Sequence, residues 1–221
     1  SAGLGWRLGL AAIIVLMSVI AGRIIPAFTR NWLVKRGAAV LPAGHGQVDN
    51  VALVTLHTGM IGWALFPAFW PVGGLLILAA ALNLWRLMRW RGVATRAEPL
   101  LSVLHIGYLW VITGAALLGA SMLTGHVPQA AAIHALTAGA IGTMVLGVMT
   151  RVSLGHTGRA LAADRITVLI YLLVTLAAAL RVAAAAGGSP LVLIEISAML
   201  WISSFFLFAL RYGPILLMPR I

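Results

Sequence analysis

Three histidines, His57, His105 and His134, sit inside long apolar runs. A fourth, His156, lies in the polar block GVMTRVSLGHTGR (147–159) together with Arg151 and Arg159. An ionisable side chain surrounded by hydrocarbon is costly and ordinarily faces a bundle interior or a cavity, so these positions carry whatever chemistry the chain performs. A neutral imidazole nitrogen ligates transition metals and haem iron, and a guanidinium holds carboxylates and other oxyanions. There is no cysteine, which removes disulfides, thiolate metal sites and thiol nucleophiles. The four acids, Asp49, Glu98, Asp164 and Glu195, are too few for a multi-carboxylate di-iron centre.

The elements that position these residues follow from composition. Of 221 residues, 62% are hydrophobic and only 9% charged, against about 25% charged in a soluble domain. The net charge of +11 does not mark a nucleic-acid binder, because the basic residues are spread over short loops instead of forming one patch. A bilayer core needs roughly 20 apolar residues per helix, and the pattern predicts an all-α, polytopic transmembrane bundle of about seven spans. They fall near 6–25, 49–66, 71–90, 99–122, 129–151, 165–186 and 190–210, in a single domain covering 1–221. The segment FPAFWP (66–71) turns spans two and three into a tight hairpin with Phe66, Phe69 and Trp70 at the interface. The first run is longer than a signal-peptide core and reads as a true span. The stretch 26–48, with Gly37, Pro42, Gly44 and Gly46, reads as a flexible connector.

All but two of the 15 Lys and Arg fall on alternate loops, the exceptions being Arg7 and Arg181. Basic loops stay cytoplasmic, so the N-terminus is expected outside and the C-terminus in the cytoplasm. At about 1.5 Å rise per residue, His57 lies roughly 12 Å beyond Asp49 and His105 roughly 10 Å beyond Glu98. The two are expected at similar depth on different helices, where they could ligate a haem iron from opposite faces, with Arg151 or Arg159 at the level of its propionates. Nearer the outer surface, His134, His126 and Glu195 could bind copper, with Arg181 at the same level. The plainer alternatives stand beside these. A membrane histidine often just hydrogen-bonds a neighbouring helix, Arg181 and Glu195 could form a neutralising ion pair, and Asp49, Glu98 and Asp164 complement the positive N-termini of their helices.

Ala135, Gly139 and Thr143, with Ala115 and Gly119, have the small-xxx-small spacing of closely packed membrane helices. Gly107 and Gly114 follow His105 and could leave room for a flat cofactor. In the polar block, Gly155 and Gly158 permit positive φ, so backbone N–H groups could form an anion-binding nest beside the arginines; a plain cytoplasmic helix stop is the alternative.

Three blocks, AGRIIPAFTRNWL (21–33), EPLLSVLHIGYLWVITGAALLG (98–119) and HALTAGAIGTMVLGVMTRVSLGHTGR (134–159), resemble the NnrS family in order and spacing. The resemblance implies a polytopic bacterial inner-membrane protein containing haem and copper, tied to nitric oxide metabolism and nitrosative stress. It carries the family's histidines onto His105, His134 and His156, less surely onto His57, and its arginines onto Arg23, Arg30, Arg151 and Arg159. Family members have about twelve spans and an N-terminal HAHE-type block that this sequence lacks, so the chain is expected to be the C-terminal part of such a protein. Its expected partners are the lipid bilayer and the missing N-terminal helices or a membrane redox partner. The competing readings are a small-molecule transporter and a cofactor-free structural subunit of a membrane redox complex. Whether the chain is an enzyme is left open: the residues assign no reaction.

Overall fold

The computed structural model describes residues 2–188 and 190–219. It is all-helical, with no strand among the described residues. The long helices are α1 (Ala2–Lys35), α2 (Gln47–Leu65), α3 (Trp70–Arg89), α4 (Pro99–Thr124), α5 (Gln129–His156), α6 (Arg165–Ala186) and α7 (Leu191–Leu217). A single 3-10 turn, Gly92–Thr95, leads from α3 into α4. Six of the seven, all but α2, are long and apolar enough to cross a membrane. The shortfall in α2 comes from Asp49, Asn50 and His57, which dilute its 19 residues. The chain is a multi-pass membrane protein.

Helix α1 runs ten residues past the expected end, into the stretch read as a flexible connector. Pro26 removes the backbone donor that would bond one turn back and ordinarily interrupts a helix. Burial of Thr29 and Leu33 on the far side of Pro26 keeps the helix going. Its 34 residues extend roughly 50 Å, well beyond a hydrocarbon core of about 30 Å. The ends of α5 and α7 also continue past the predicted limits, to His156 and Leu217.

Helix α4 is the most enclosed and packs against α1, α3 and α5, while α2 lies between α1 and α3 and α6 between α5 and α7. Small residues set these crossings. A Cβ on Gly119 would come within 2.7 Å of the Gly73 carbonyl, and one on Gly139 within 2.5 Å of the Trp110 indole. The space expected beside Gly107 and Gly114 is filled by Met144 and Leu136, so it holds no flat cofactor. Phe66, Phe69 and Trp70 are exposed at the α2–α3 hairpin, as befits rings at an interface. In α5 the stretch Ala135–Ile141 is π-helical, a local widening often found next to functional sites.

Candidate functional site

Asn83 and Arg86 are spaced to share one face of α3, turned toward α2 and α4, and Trp90, just past its end, continues that face. Arg86 is 1% exposed; its Nε donates to Asp49 Oδ1 at 2.9 Å and its Nη1 to the Tyr108 hydroxyl at 2.8 Å. Tyr108 donates onward to Asn83 Oδ1 at 2.6 Å, and the Asn83 amide donates to the Ala52 and Ala79 carbonyls. The guanidinium also lies 5.0 Å from the Trp90 ring centroid, a cation–π distance. Asp49 accepts from Arg89 at 3.4 Å and from the Gly46 N–H at 3.1 Å. Sequence reasoning missed this network, counting Arg86 as a loop residue and Asp49 as a helix-end charge. A signal was present. The hairpin turns about Pro67–Ala68, so residues equidistant from it pair across: Asp49 with Arg86, and Ala52 with Asn83.

His105, 7% exposed, points its Nδ1 at the Leu101 carbonyl, 3.0 Å away. That bond makes Nδ1 the donor, so Nε2 carries the lone pair; the Thr29 hydroxyl lies 3.5 Å from it and the Trp90 backbone is also close to the ring. Gly92 packs against the ring, and a Cβ there would fall 2.5 Å from His105 Cδ2. The ring forms part of a groove of about 890 Å³ whose other walls include Leu87, Gly92 and Ile106, with Arg91 and Arg96 along it. Arg91 has φ of 61°, the one non-glycine residue at positive φ among those described, and this left-handed backbone costs about 1–2 kcal/mol. Arg91 follows the residue that caps α3, the position where a left-handed residue commonly closes a helix.

His57 is half-buried and hydrogen-bonded to Ser18 at 2.8 Å. Its contact and that of His105 fall eleven residues apart on α1, roughly 16 Å of helix. The two imidazoles therefore do not share one depth or face one another across a common gap, and a bis-histidine haem does not fit. Their expected equivalence came from counting residues from Asp49 and Glu98 as if both marked one level.

Nor do the outer residues form one cluster. His126 is exposed in the α4–α5 loop, and Glu195 is exposed on α7. Half-buried His134 lies within electrostatic range of Arg181, a cation that opposes metal binding there. Arg181 and Glu195 form no ion pair, and no three His, Asp or Glu gather as a metal site among the described residues. The copper site expected from His134, His126 and Glu195 does not fit this arrangement.

The polar block closes α5. Arg159 N–H donates to the Leu154 carbonyl and Gly158 N–H to that of Gly155, with Gly158 at φ 78°. This is a Schellman stop, and it uses the very N–H groups an anion nest would need. Gly155 remains helical and His156 is exposed at the end. Arg151 instead lies over the Phe28 ring at 4.2 Å, and Thr150 hydrogen-bonds the Tyr171 hydroxyl. Arg159 Nη1 and Glu98 Oε1 are buried without a protein partner. Glu98 does not cap α4, whereas Asp164 caps α6 by accepting the Thr167 N–H at 2.8 Å and pairs with Arg211 at 2.6 Å.

The three sequence blocks thus meet in space, Thr29 of the first touching His105 of the second and Phe28 of the first lying under Arg151 of the third. A family model described as NnrS protein matches residues 1–220. The chain belongs to the NnrS family. No curated protein and no solved structure matches it. Within this NnrS chain, α1 is the element that brings the blocks together, and Arg23 and Arg30 lie on it beside a second cavity, between α1, α2 and α3.

Proposed function

We propose that this chain is a haem-binding protein of the bacterial inner membrane that acts in the response to nitric oxide, with its N-terminus outside and its C-terminus in the cytoplasm. One observation carries the reading: the His105 ring, its Nδ1 committed to the Leu101 carbonyl and its Nε2 facing only the long Thr29 contact among side chains, on the wall of a groove of about 890 Å³. Ligand pockets commonly measure about 300–1,000 Å³, and this one is mostly apolar with two guanidiniums, the donor set a propionate-bearing macrocycle requires. His105 would hold the iron and Arg91 and Arg96 the propionates, while Gly92 lets the backbone lie close against the imidazole and fix its position. A haem held by one histidine supplies an iron with an open position for a diatomic ligand. The chain's own residues contribute tautomer control, through Leu101, and exclusion of water, through Leu87 and Ile106.

Visible spectra of the full-length protein from iron-replete cells test this. His105→Ala abolishes the Soret band while His57→Ala retains it. Equal haem content in the His105→Ala protein would overturn the assignment, as would loss in His57→Ala alone.

A further inference from the structure

A second cavity, about 570 Å³, lies between α1, the loop 42–45, α2 and α3. Along α1 its wall is Gly22, Arg23, Pro26, Ala27 and Arg30, a stripe at helical spacing in which the small residues open a trough between two arginines. Both arginines are exposed, and neither has an ion-pair partner among the described residues. The opposite wall carries His45, Arg86 and Trp90. Arg86 commits Nε to Asp49 and Nη1 to Tyr108, yet no described residue accepts from Nη2. That nitrogen packs directly against Gly22 at the cavity wall, where any Cβ would overlap it. A guanidinium nitrogen left over at a cavity wall has an acceptor to gain. With Arg89 beside Asp49, four guanidiniums face a single carboxylate, leaving three positive charges unbalanced.

We propose that this trough binds a phosphate group through Arg23, Arg30 and Arg86 Nη2. Guanidiniums match phosphate oxygens in paired hydrogen bonds, and a lone carboxylate ligand would leave part of this charge unmet. The walls above the arginines are apolar, Val19 and Leu53 among them, so the phosphate can come as the headgroup of an anionic lipid, a known use of basic pockets between membrane helices, or as free phosphate. The site is separate from the His105 groove and does not depend on haem.

The test uses the purified full chain in detergent. Binding of phosphatidylglycerol is followed by native mass spectrometry and binding of inorganic phosphate by calorimetry. Arg23→Gln combined with Arg30→Gln weakens binding about tenfold or more, the effect of losing one to two charge-assisted hydrogen bonds. Both residues are exposed, so the fold survives their loss. Gly22→Ala keeps every charge but displaces Arg86 Nη2, and weakens binding likewise. Arg165→Gln, an exposed arginine far along the chain, leaves it unchanged. Phosphatidylglycerol bound and not displaced by phosphate identifies a lipid headgroup; phosphate bound alone identifies the free anion. Neither bound, or Arg165→Gln weakening binding as much as the trough variants, would overturn the proposal.

Discussion

Asp49→Asn removes the only carboxylate beside Arg86 among the described residues and leaves that guanidinium, 1% exposed, with Tyr108 and the Trp90 face as its remaining partners. Breaking a buried ion pair from one side costs about 3–5 kcal/mol, because the abandoned charge has lost its compensation. The reverse change is milder. In Arg86→Met the carboxylate keeps Arg89 at 3.4 Å and the Gly46 N–H at 3.1 Å, so the loss is that of one or two charge-assisted bonds, roughly 1.5–3 kcal/mol. The double variant Asp49→Asn/Arg86→Met removes both charges and recovers part of the first loss, giving a coupling energy of about 1–3 kcal/mol. The measurement is denaturation by sodium dodecyl sulfate in mixed micelles, followed by tryptophan fluorescence, since Trp90 packs 4.7 Å from Tyr108 within this network. If Asp49→Asn were no more damaging than Arg86→Met, or if the double variant were the sum of the two, the account of Arg86 as a charge held by one carboxylate would be wrong.

Gly92→Ala puts a methyl 2.5 Å from His105 Cδ2 and lowers haem retention with little change in helix content by circular dichroism; full retention would show that the ring position is not what the groove requires. Gly139→Ala drives a Cβ into Trp110 and costs about 1–3 kcal/mol by overpacking, read in the same micelle denaturation. Asp164 has its carboxyl pKa lowered to about 2: desolvation pushes it upward, but the Thr167 N–H and hydroxyl and the Arg211 guanidinium outweigh that. Its folded-state value lies below the ordinary 3.8, so its contribution is complete above pH 4 and is lost as pH falls from about 4 to about 2. Asp164→Asn flattens that part of the stability profile, by an amount kept small by solvent at this partly exposed site; an unchanged acid limb would contradict the pairing.

Much of the helical layout was legible because hydrocarbon length and loop punctuation are local properties. The α6 range follows directly from Asp164 as a cap, and FPAFWP marks the α2–α3 turn unaided. The overrun of α1 was not legible, because the burial of Thr29 and Leu33 that carries the helix past Pro26 depends on α4 and the 3-10 turn, distant in sequence. The same holds for the site. His105 stands out as an ionisable group in an apolar run, but its separation from His57 depends on which turn of α1 each one meets. Arg151 has the loop-edge position that a basic stop residue would have, and only the fold reveals the Phe28 ring beneath it. The polar block misled in another way. Its glycines suit an anion nest and a helix stop equally, and the hydrogen bonds from Gly158 and Arg159 decide between the two.

The symmetric pairing across the α2–α3 hairpin bears on how the chain enters the bilayer. Asp49 and Arg86 are each expensive to move into hydrocarbon alone, and α2 is the helix whose own apolar character falls short of a span. Because the two residues are equidistant from the turn, closing the hairpin joins their charges before either helix needs any other partner. The Asp49 and Arg86 charges are then neutralised within the hairpin, and α3 adds its apolar length to a helix that alone falls short of a span. Moving the turn by one residue would misalign that neutralisation by about 100° of helix rotation, so the length of the α2–α3 connection sets whether the two charges meet.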